Sequence, residues 1–310
     1  MGNWDLIIIG AGPAGLTAGI YAGRAGLKAL ILEEKTSGGE AAVTPCIENY
    51  PGFESISGLE LVERMTKQCR KFGAQINELE RAISLDLSGN QKLVKTDKRT
   101  YSSAAAILAT GTHYKHLAVP GEDKFQGRGV SYCAVCDGAF FKDRSVIVVG
   151  GGNSAATSAQ YLSNVAADVK LVHRRNQLRA EEAHVKALRK ENVEFLWNSE
   201  VVQIKGEGVV KSVILRNNET GQTNEIRVDG IFVQIGEVPN TSFIRGTGIE
   251  LDKDGYIIVD ARQRTNLPGV FAAGDVTDQR VKQVGTAIGQ AVVASTEAFG
   301  YIKRPYYYTG

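Results

Sequence analysis

Two distant stretches of this chain share one pattern of apolar and polar positions. Residues 5–9 form a short β-rich apolar run ending in Gly10-Ala11-Gly12-Pro13-Ala14-Gly15. A segment of helical composition follows to about residue 25, and residues 28–32 read as a second buried strand. Residues 145–149 form an equally apolar run ending in Gly150-Gly151-Gly152-Asn153-Ser154-Ala155, then a helical segment to about residue 165 and a strand at 168–172. From Gly10 to Glu33, which closes the first unit, is 23 positions, and from Gly150 to His173 is also 23. One βαβ pattern thus occurs twice, in register.

Further strand-like pieces are expected at 193–196, 209–215 and 230–235. Gly269-Val270-Phe271-Ala272-Ala273-Gly274-Asp275 then opens a helical stretch rich in small residues, 285–298. Crossings that contain Pro and Gly, at 113–120 and 236–242, bracket the second pattern as the linkers of an inserted domain would. The expected fold class is α/β, with two Rossmann-like nucleotide-binding domains. Residues 1–114 and 242–310 form one discontinuous domain, and 115–241 form the other, inserted into it.

Composition narrows the function without naming it. The 310 residues are 43% hydrophobic and 23% charged, values of a soluble globular protein, and the net charge of +2 asks for neither nucleic acid nor an anionic membrane. No stretch approaches the roughly 18 unbroken apolar residues of a membrane helix. Residues 1–10 lack the basic region and cleavage site of a signal peptide, so a cytoplasmic location is expected. Only four cysteines occur, Cys46, Cys69, Cys133 and Cys136, too few for a disulfide-stapled scaffold.

The two glycine-rich turns differ in the residue that ends the second strand. In the first, Gly10 permits the tight turn, Gly12 lets backbone approach a pyrophosphate, and Gly15 lets the helix pack on the strand. Unpaired N–H groups at the helix start face the phosphates. Glu33 can accept hydrogen bonds from both ribose hydroxyls, which suits FAD. The second has His173-Arg174-Arg175 there, with Arg179 beyond. A guanidinium pairs with a 2′-phosphate where an acid would repel it, which suits NADPH over NADH. A solvated basic helix start is the plain alternative.

Between the two patterns lies Cys133-Ala134-Val135-Cys136, followed by Asp137. In a reducing compartment such a pair is a redox centre or half of a metal site. Structural zinc wants four ligands, and neither Cys46 and Cys69 nor the four histidines supply a second pair at suitable spacing. Asp137 is placed to give and take the proton of thiol chemistry, or to cap a helix, or both. Cys46 and Cys69 are expected to be packing residues.

Taken together, the two fingerprints, the CAVCDG segment and the GVFAAGDV segment make the chain resemble low-molecular-weight thioredoxin reductases over nearly its whole length. The resemblance implies an NADPH domain inserted into an FAD domain, a homodimer with one FAD per subunit, and thioredoxin or a thioredoxin-like protein as partner. It places FAD on Gly10, Gly12, Pro13, Ala14, Gly15, Glu33, Glu34, Gly39, Glu40, Asn49, Ala109, Thr110, Gly111, Gly274, Asp275, Lys282 and Gln283. NADPH falls on Gly150, Gly152, Asn153, Ser154, Ala155, His173, Arg174, Arg175 and Arg179. Cys136 would exchange electrons with the flavin, and Cys133 would attack the partner's disulfide, with Asp137 handling protons.

Several positions depart from the family pattern. Glu40 stands where glutamine is common, Lys282 where arginine is, Thr157 and Ser158 where an acidic pair is, and Glu237 where histidine is. Relatives with altered nucleotide sites take electrons from ferredoxin or a deazaflavin, but the retained His173-Arg174-Arg175 and Arg179 argue against that donor. The tail Arg304-Pro305-Tyr306-Tyr307-Tyr308 is also unusual, with packing on a dimer surface or stacking over the flavin as its two readings. The alternatives to be tested are a disulfide reductase of the same architecture with another donor (NADH, ferredoxin or a deazaflavin) or a glutaredoxin-like or peroxiredoxin-reducing partner, and a flavin-binding regulatory protein whose CxxC binds metal. If both the flavin and a large partner must meet the CxxC, the inserted domain is expected to rotate.

Overall fold

The computed structural model describes residues 3–44, 47, 49–191 and 193–304, without the side chains of residues 3, 135 and 136. Cys46 and residues 305–308 of the tail lie outside these. The chain divides into two compact units, 1–113 with 238–310 and 114–237. Residues 238–241, expected with the insertion, belong to the first unit: Asn240 exchanges hydrogen bonds with Thr110 (Nδ2 to Thr110 O, 2.8 Å; Thr110 Oγ1 to Asn240 O, 2.9 Å).

The first unit is built on a seven-stranded sheet among the described residues. Gln75–Asn77, Ala29–Leu32, Asn3–Ile9, Thr100–Leu108 and Val270–Ala272 run parallel. The long strand Thr100–Leu108 serves two neighbours on one edge. Its last three residues pair with Val270–Ala272, and its beginning pairs antiparallel with Lys92–Thr96, which carries Ala82–Asp86. Alternate residues go to opposite faces. Leu6, Ile8, Ile31 and Ile107 join one buried cluster, while Ile7, Ile9, Leu30 and Leu108 join another. Burial on both faces explains why these strands read as unbroken apolar runs.

Helix Pro13–Arg24 packs against the sheet and against helix Gly58–Lys71 because its small residues allow it to. A Cβ on Gly19 would sit 2.7 Å from both Cys69 Sγ and Ile31 Cδ1, and one on Gly23 would sit 2.3 Å from Phe72 O. Helix Val284–Lys303 packs alongside, and Ser295 Oγ donates to Ala18 O at 3.1 Å.

The second unit repeats the plan. Its parallel sheet runs Glu194–Leu196, Asp168–Val172, Ser145–Gly150, Gly230–Gln234, Val130–Ser131, with helix Asn153–Ser163 following the glycine-rich turn. An antiparallel meander, Ser199–Glu207, Val209–Asn217 and Thr223–Arg227, is appended. Thus the α/β, twice-Rossmann reading holds. No helix among the described residues is long and apolar enough to cross a membrane.

Candidate active site: two nucleotide cradles and a disulfide

In the first unit the fingerprint glycines divide into two physical kinds. Gly10 (φ 103°) and Gly15 are demanded by the protein itself: a Cβ would lie 2.3 Å from Ala109 O at Gly10 and 1.8 Å from Gly10 O at Gly15. Gly12 is different. Its nearest neighbour would be Gly39 Cα at 4.0 Å, and Gly39 in turn faces Gly12 Cα at 3.4 Å. Two bare backbones therefore face one another at the start of the Pro13–Arg24 helix, where the unpaired N–H groups gather. No packing need of the chain explains the missing side chain on Gly12, and a slot with these donors fits a pyrophosphate.

Of the remaining expected residues, Glu33 and Gly274 touch this turn directly. Glu33 accepts from Ala11 N (Oε2, 2.7 Å) and from Lys35 N (Oε1, 2.9 Å), which locks its carboxylate against the turn and leaves further lone pairs for ribose hydroxyls. Glu34 is exposed, 4.0 Å from Arg81. Asn49 donates to Gln283 at 3.0 Å across 234 positions of sequence. Gln283 also caps helix Val284–Lys303 through a reciprocal box with Thr286. Gly274, beside Asp275, approaches Ala14 so closely that a Cβ would lie 2.9 Å from Ala14 Cβ, and its N–H donates to Gln290. Thr110 and Gly111 are held by Asn240, a residue sequence reasoning did not single out, while Ala109 N donates to Ile9 O.

Lys282 turns out to be a brace. Its ammonium donates to the carbonyls of Asp275 and Thr277 and lies 4.3 Å from the centre of the Tyr256 ring. The departure from arginine thus falls on a residue that shapes the 275–283 loop. Glu40 is exposed on the short helix Gly39–Ala42.

The second unit shows the same division of glycines. A Cβ on Gly150 would meet Gln234 O at 2.2 Å, whereas Gly152, at the N-cap of helix Asn153–Ser163, has nothing within 4 Å. The middle Gly151 was not expected to matter, yet its Cβ would fall 2.2 Å from the His173 ring. His173 is 7% exposed, and burial holds its imidazole below the ordinary range. It packs beneath the turn as a neutral prop rather than on the open side.

Of the basic residues, Arg179 is drawn to the turn by its backbone. Arg179 N and Ala180 N both donate to Gly151 O, at 2.7 and 3.1 Å. Asn153 closes the clasp, donating to Glu181 Oε1 (3.0 Å) and accepting from Glu181 N (2.8 Å). Arg174, Arg175 and Arg179 are exposed, and among the described residues none has a carboxylate within ion-pair distance. Three unpaired guanidiniums beside an open glycine and a helix start fit a phosphorylated dinucleotide. Ser154 and Ala155 continue the helix, and Thr157 turns its hydroxyl back onto the carbonyls of Asn153 and Ser154.

Cys133 lies in the same unit, half-buried and disulfide-bonded. Its N–H donates to Ser131 Oγ at 3.1 Å, and a single helical turn, Ala134–Asp137, follows. The side chain of Cys136 lies outside the described residues. Asp137 occupies the N-cap position of the next turn, Gly138–Phe141, but its side chain makes no capping bond, so the capping alternative has no contact behind it. Asp137 lines a cavity of about 310 Å³ with Phe140, Arg128 and Lys211, and Phe140 is 76% exposed. Cys69 is fully buried and free, its thiol pushed up to about 11 by desolvation. It is a packing residue.

Residues 4–291 match the family model for pyridine nucleotide-disulphide oxidoreductases. A protein named thioredoxin reductase from Listeria innocua is 44% identical over 304 residues, 97% of this chain and 94% of its own. Another from Peptoclostridium acidaminophilum is 42% identical over 308 residues, 97% of each. Among solved structures, thioredoxin reductase of Lactococcus lactis superposes with a TM-score of 0.87 at 39% identity, covering 96% of this chain and 99% of that one. With both cradles and a disulfide in place, the chain belongs to the pyridine nucleotide-disulphide oxidoreductases, among the low-molecular-weight thioredoxin reductases.

Proposed function

We propose that this enzyme carries electrons from NADPH, by way of FAD and the Cys133–Cys136 disulfide, to an oxidised thioredoxin or thioredoxin-like protein. The observation that carries this reading is Cys133, already in a disulfide, in the unit that also holds the open Gly152 and the exposed Arg174, Arg175 and Arg179, which have no ion-pair partner among the described residues. The unit 1–113 with 238–310 is the FAD domain and 114–237 the NADPH domain. A homodimer working in the cytoplasm completes the proposal.

When bound, FAD supplies the two-electron link between nicotinamide and disulfide. The chain does the rest. The Gly12 and Gly39 backbones and Glu33 would hold FAD, helped by Asn49 and Gln283, which fix one another. Arg174, Arg175 and Arg179 select the 2′-phosphate, while Gly152 and the start of the following helix take the pyrophosphate. Reduction of the disulfide takes two electrons and two protons, yielding two thiols. Cys133 then attacks the partner's disulfide as a thiolate, forming a mixed disulfide, and Cys136 displaces the partner by re-forming its bond to Cys133. The leaving thiolates each take a proton, and Asp137 is the group placed to pass one on. Exposed Phe140, beside the cavity that Asp137 lines, offers apolar surface for the partner.

Anaerobic titration with NADPH followed by oxidised thioredoxin from the same cell tests the reading. The expected result is bleaching of the flavin, a gain of two thiols, and reoxidation by thioredoxin. A metal-binding CxxC would show no gain of thiols, and another donor would show as slow bleaching with NADPH.

A further inference from the structure

We propose that Tyr132 is a positioning residue for Cys133, clamped by buried Glu122 and by His116 so that the redox sulfur is held in one geometry. The inference rests on the reading of Cys133 as the attacking thiol.

Glu122 is a carboxylate with only 2% of its side chain exposed. It accepts from Leu117 N (2.8 Å), Ala118 N (2.7 Å) and the Tyr132 hydroxyl (2.8 Å). Bringing two successive N–H groups onto one carboxylate puts Ala118 at φ 57°, a left-handed conformation that a residue with a Cβ resists. Burial, then Glu122, push the Tyr132 phenol above its ordinary range, so it keeps its proton and donates to the acid. The same oxygen lies 2.9 Å from His116 Nδ1. With its O–H directed at Glu122 as a hydrogen-bond donor, the oxygen must accept there, which assigns the Nδ1–H form to His116. Asp123 and Glu122 each face that nitrogen at 3.9 Å.

The clamp reaches the sulfur through one residue of backbone. Tyr132 O accepts from Gln234 Nε2 at 2.7 Å, and its ring stacks on Tyr114 at 6.0 Å and meets His116 at 4.8 Å. The residue before Cys133 is therefore held at ring, hydroxyl and carbonyl. Packing alone would be met by phenylalanine. A buried carboxylate is costly unless fully bonded, and a bonded network of this kind specifies one arrangement.

A fixed Cys133 keeps its sulfur at high effective concentration toward its partner thiol. Loosening the clamp moves the equilibrium toward the dithiol. In Tyr132→Phe of the full-length flavoenzyme, the disulfide–dithiol equilibrium measured in glutathione buffers is expected to shift toward dithiol roughly tenfold, about 30 mV. Thioredoxin turnover falls about tenfold, while NADPH-dependent ferricyanide reduction stays at the wild-type rate. His116→Asn leaves an N–H donor close to the place of Nδ1 and is expected to keep the wild-type equilibrium; His116→Phe, at a half-exposed site, is expected to shift it in the same direction as Tyr132→Phe by about threefold. A wild-type equilibrium in Tyr132→Phe overturns the proposal, and should that variant not fold, a wild-type equilibrium in His116→Phe does so. Failure of the unaltered enzyme to gain two thiols would instead overturn the underlying reading.

Discussion

Gly12 and Gly152 carry no side chain although the protein leaves room for one, and this separates folding from binding at single residues. Alanine is sterically free at both, since their φ angles are −73° and −97°. Gly12→Ala is expected to fold normally yet purify with less flavin, measured by the absorbance ratio of flavin to protein. Gly152→Ala should keep its flavin and raise KM for NADPH about tenfold with an unchanged melting midpoint. Arg174→Gln and Arg179→Gln each remove a charge-assisted bond worth about 1.5–3 kcal/mol, so kcat/KM for NADPH should fall about 10- to 100-fold while that for NADH holds. Cys133→Ser should abolish thioredoxin reduction and preserve flavin bleaching by NADPH. These residues were legible because chemistry restricts them by type and spacing. Gly151 and His173 were read less well: the contact between them depends on how the turn folds over the second strand's end, and no local pattern carries that. Asn240, Tyr132 and Glu122 escaped for the same reason. Asn240 acts through Thr110, 130 positions away, and Tyr132 is held by Gln234, 102 positions away, while Glu122 works through an irregular loop with no periodic pattern.

Among the elements, the helices behind the sheet show how close packing sets tolerance. Alanine at an interior helix glycine ordinarily gains about 1 kcal/mol. At Gly15 that gain is overwhelmed, because the new carbon would lie 1.8 Å from a backbone oxygen. At Gly19 it would meet the ends of two side chains, Cys69 and Ile31, which yield more easily. Chemical denaturation should therefore rank Gly15→Ala well below Gly19→Ala, with the latter costing about 1–3 kcal/mol. Cys69 adds a dependence on pH. Its folded pKa of about 11 exceeds the ordinary 9.0, so the thiol's contribution is complete below pH 9 and is lost as pH rises toward 11. Cys69→Ala should flatten the decline of the melting midpoint in that window, and iodoacetamide at pH 8 should leave Cys69 unlabelled in folded protein. The strands of both βαβ units could be read from their apolar runs, and Asp168–Val172 matches its expected bounds. The antiparallel additions could not. Ala82–Asp86 is largely exposed and Thr223–Arg227 is polar but for Ile226, so neither carries the alternation of a half-buried strand.

At the scale of the molecule, the first unit is assembled from two separated lengths of chain and the second from one. This has a consequence for synthesis. Domains commonly fold as units while the chain emerges. The inserted unit has all its strands once residue 237 is made, and it can close at once. The outer unit cannot, because Val270–Ala272 supplies a strand of its sheet and Val284–Lys303 a wall of its core. Until those residues emerge, Leu108 and Ala18 lack their partners, and the groove between Gly12 and Gly39 lacks the 274–283 loop beside it. Released chains cut after residue 260 should hold a protease-resistant 114–237 core and retain no flavin. The coenzyme that enters last in biogenesis would then be the one the N-terminal fingerprint was made first to receive.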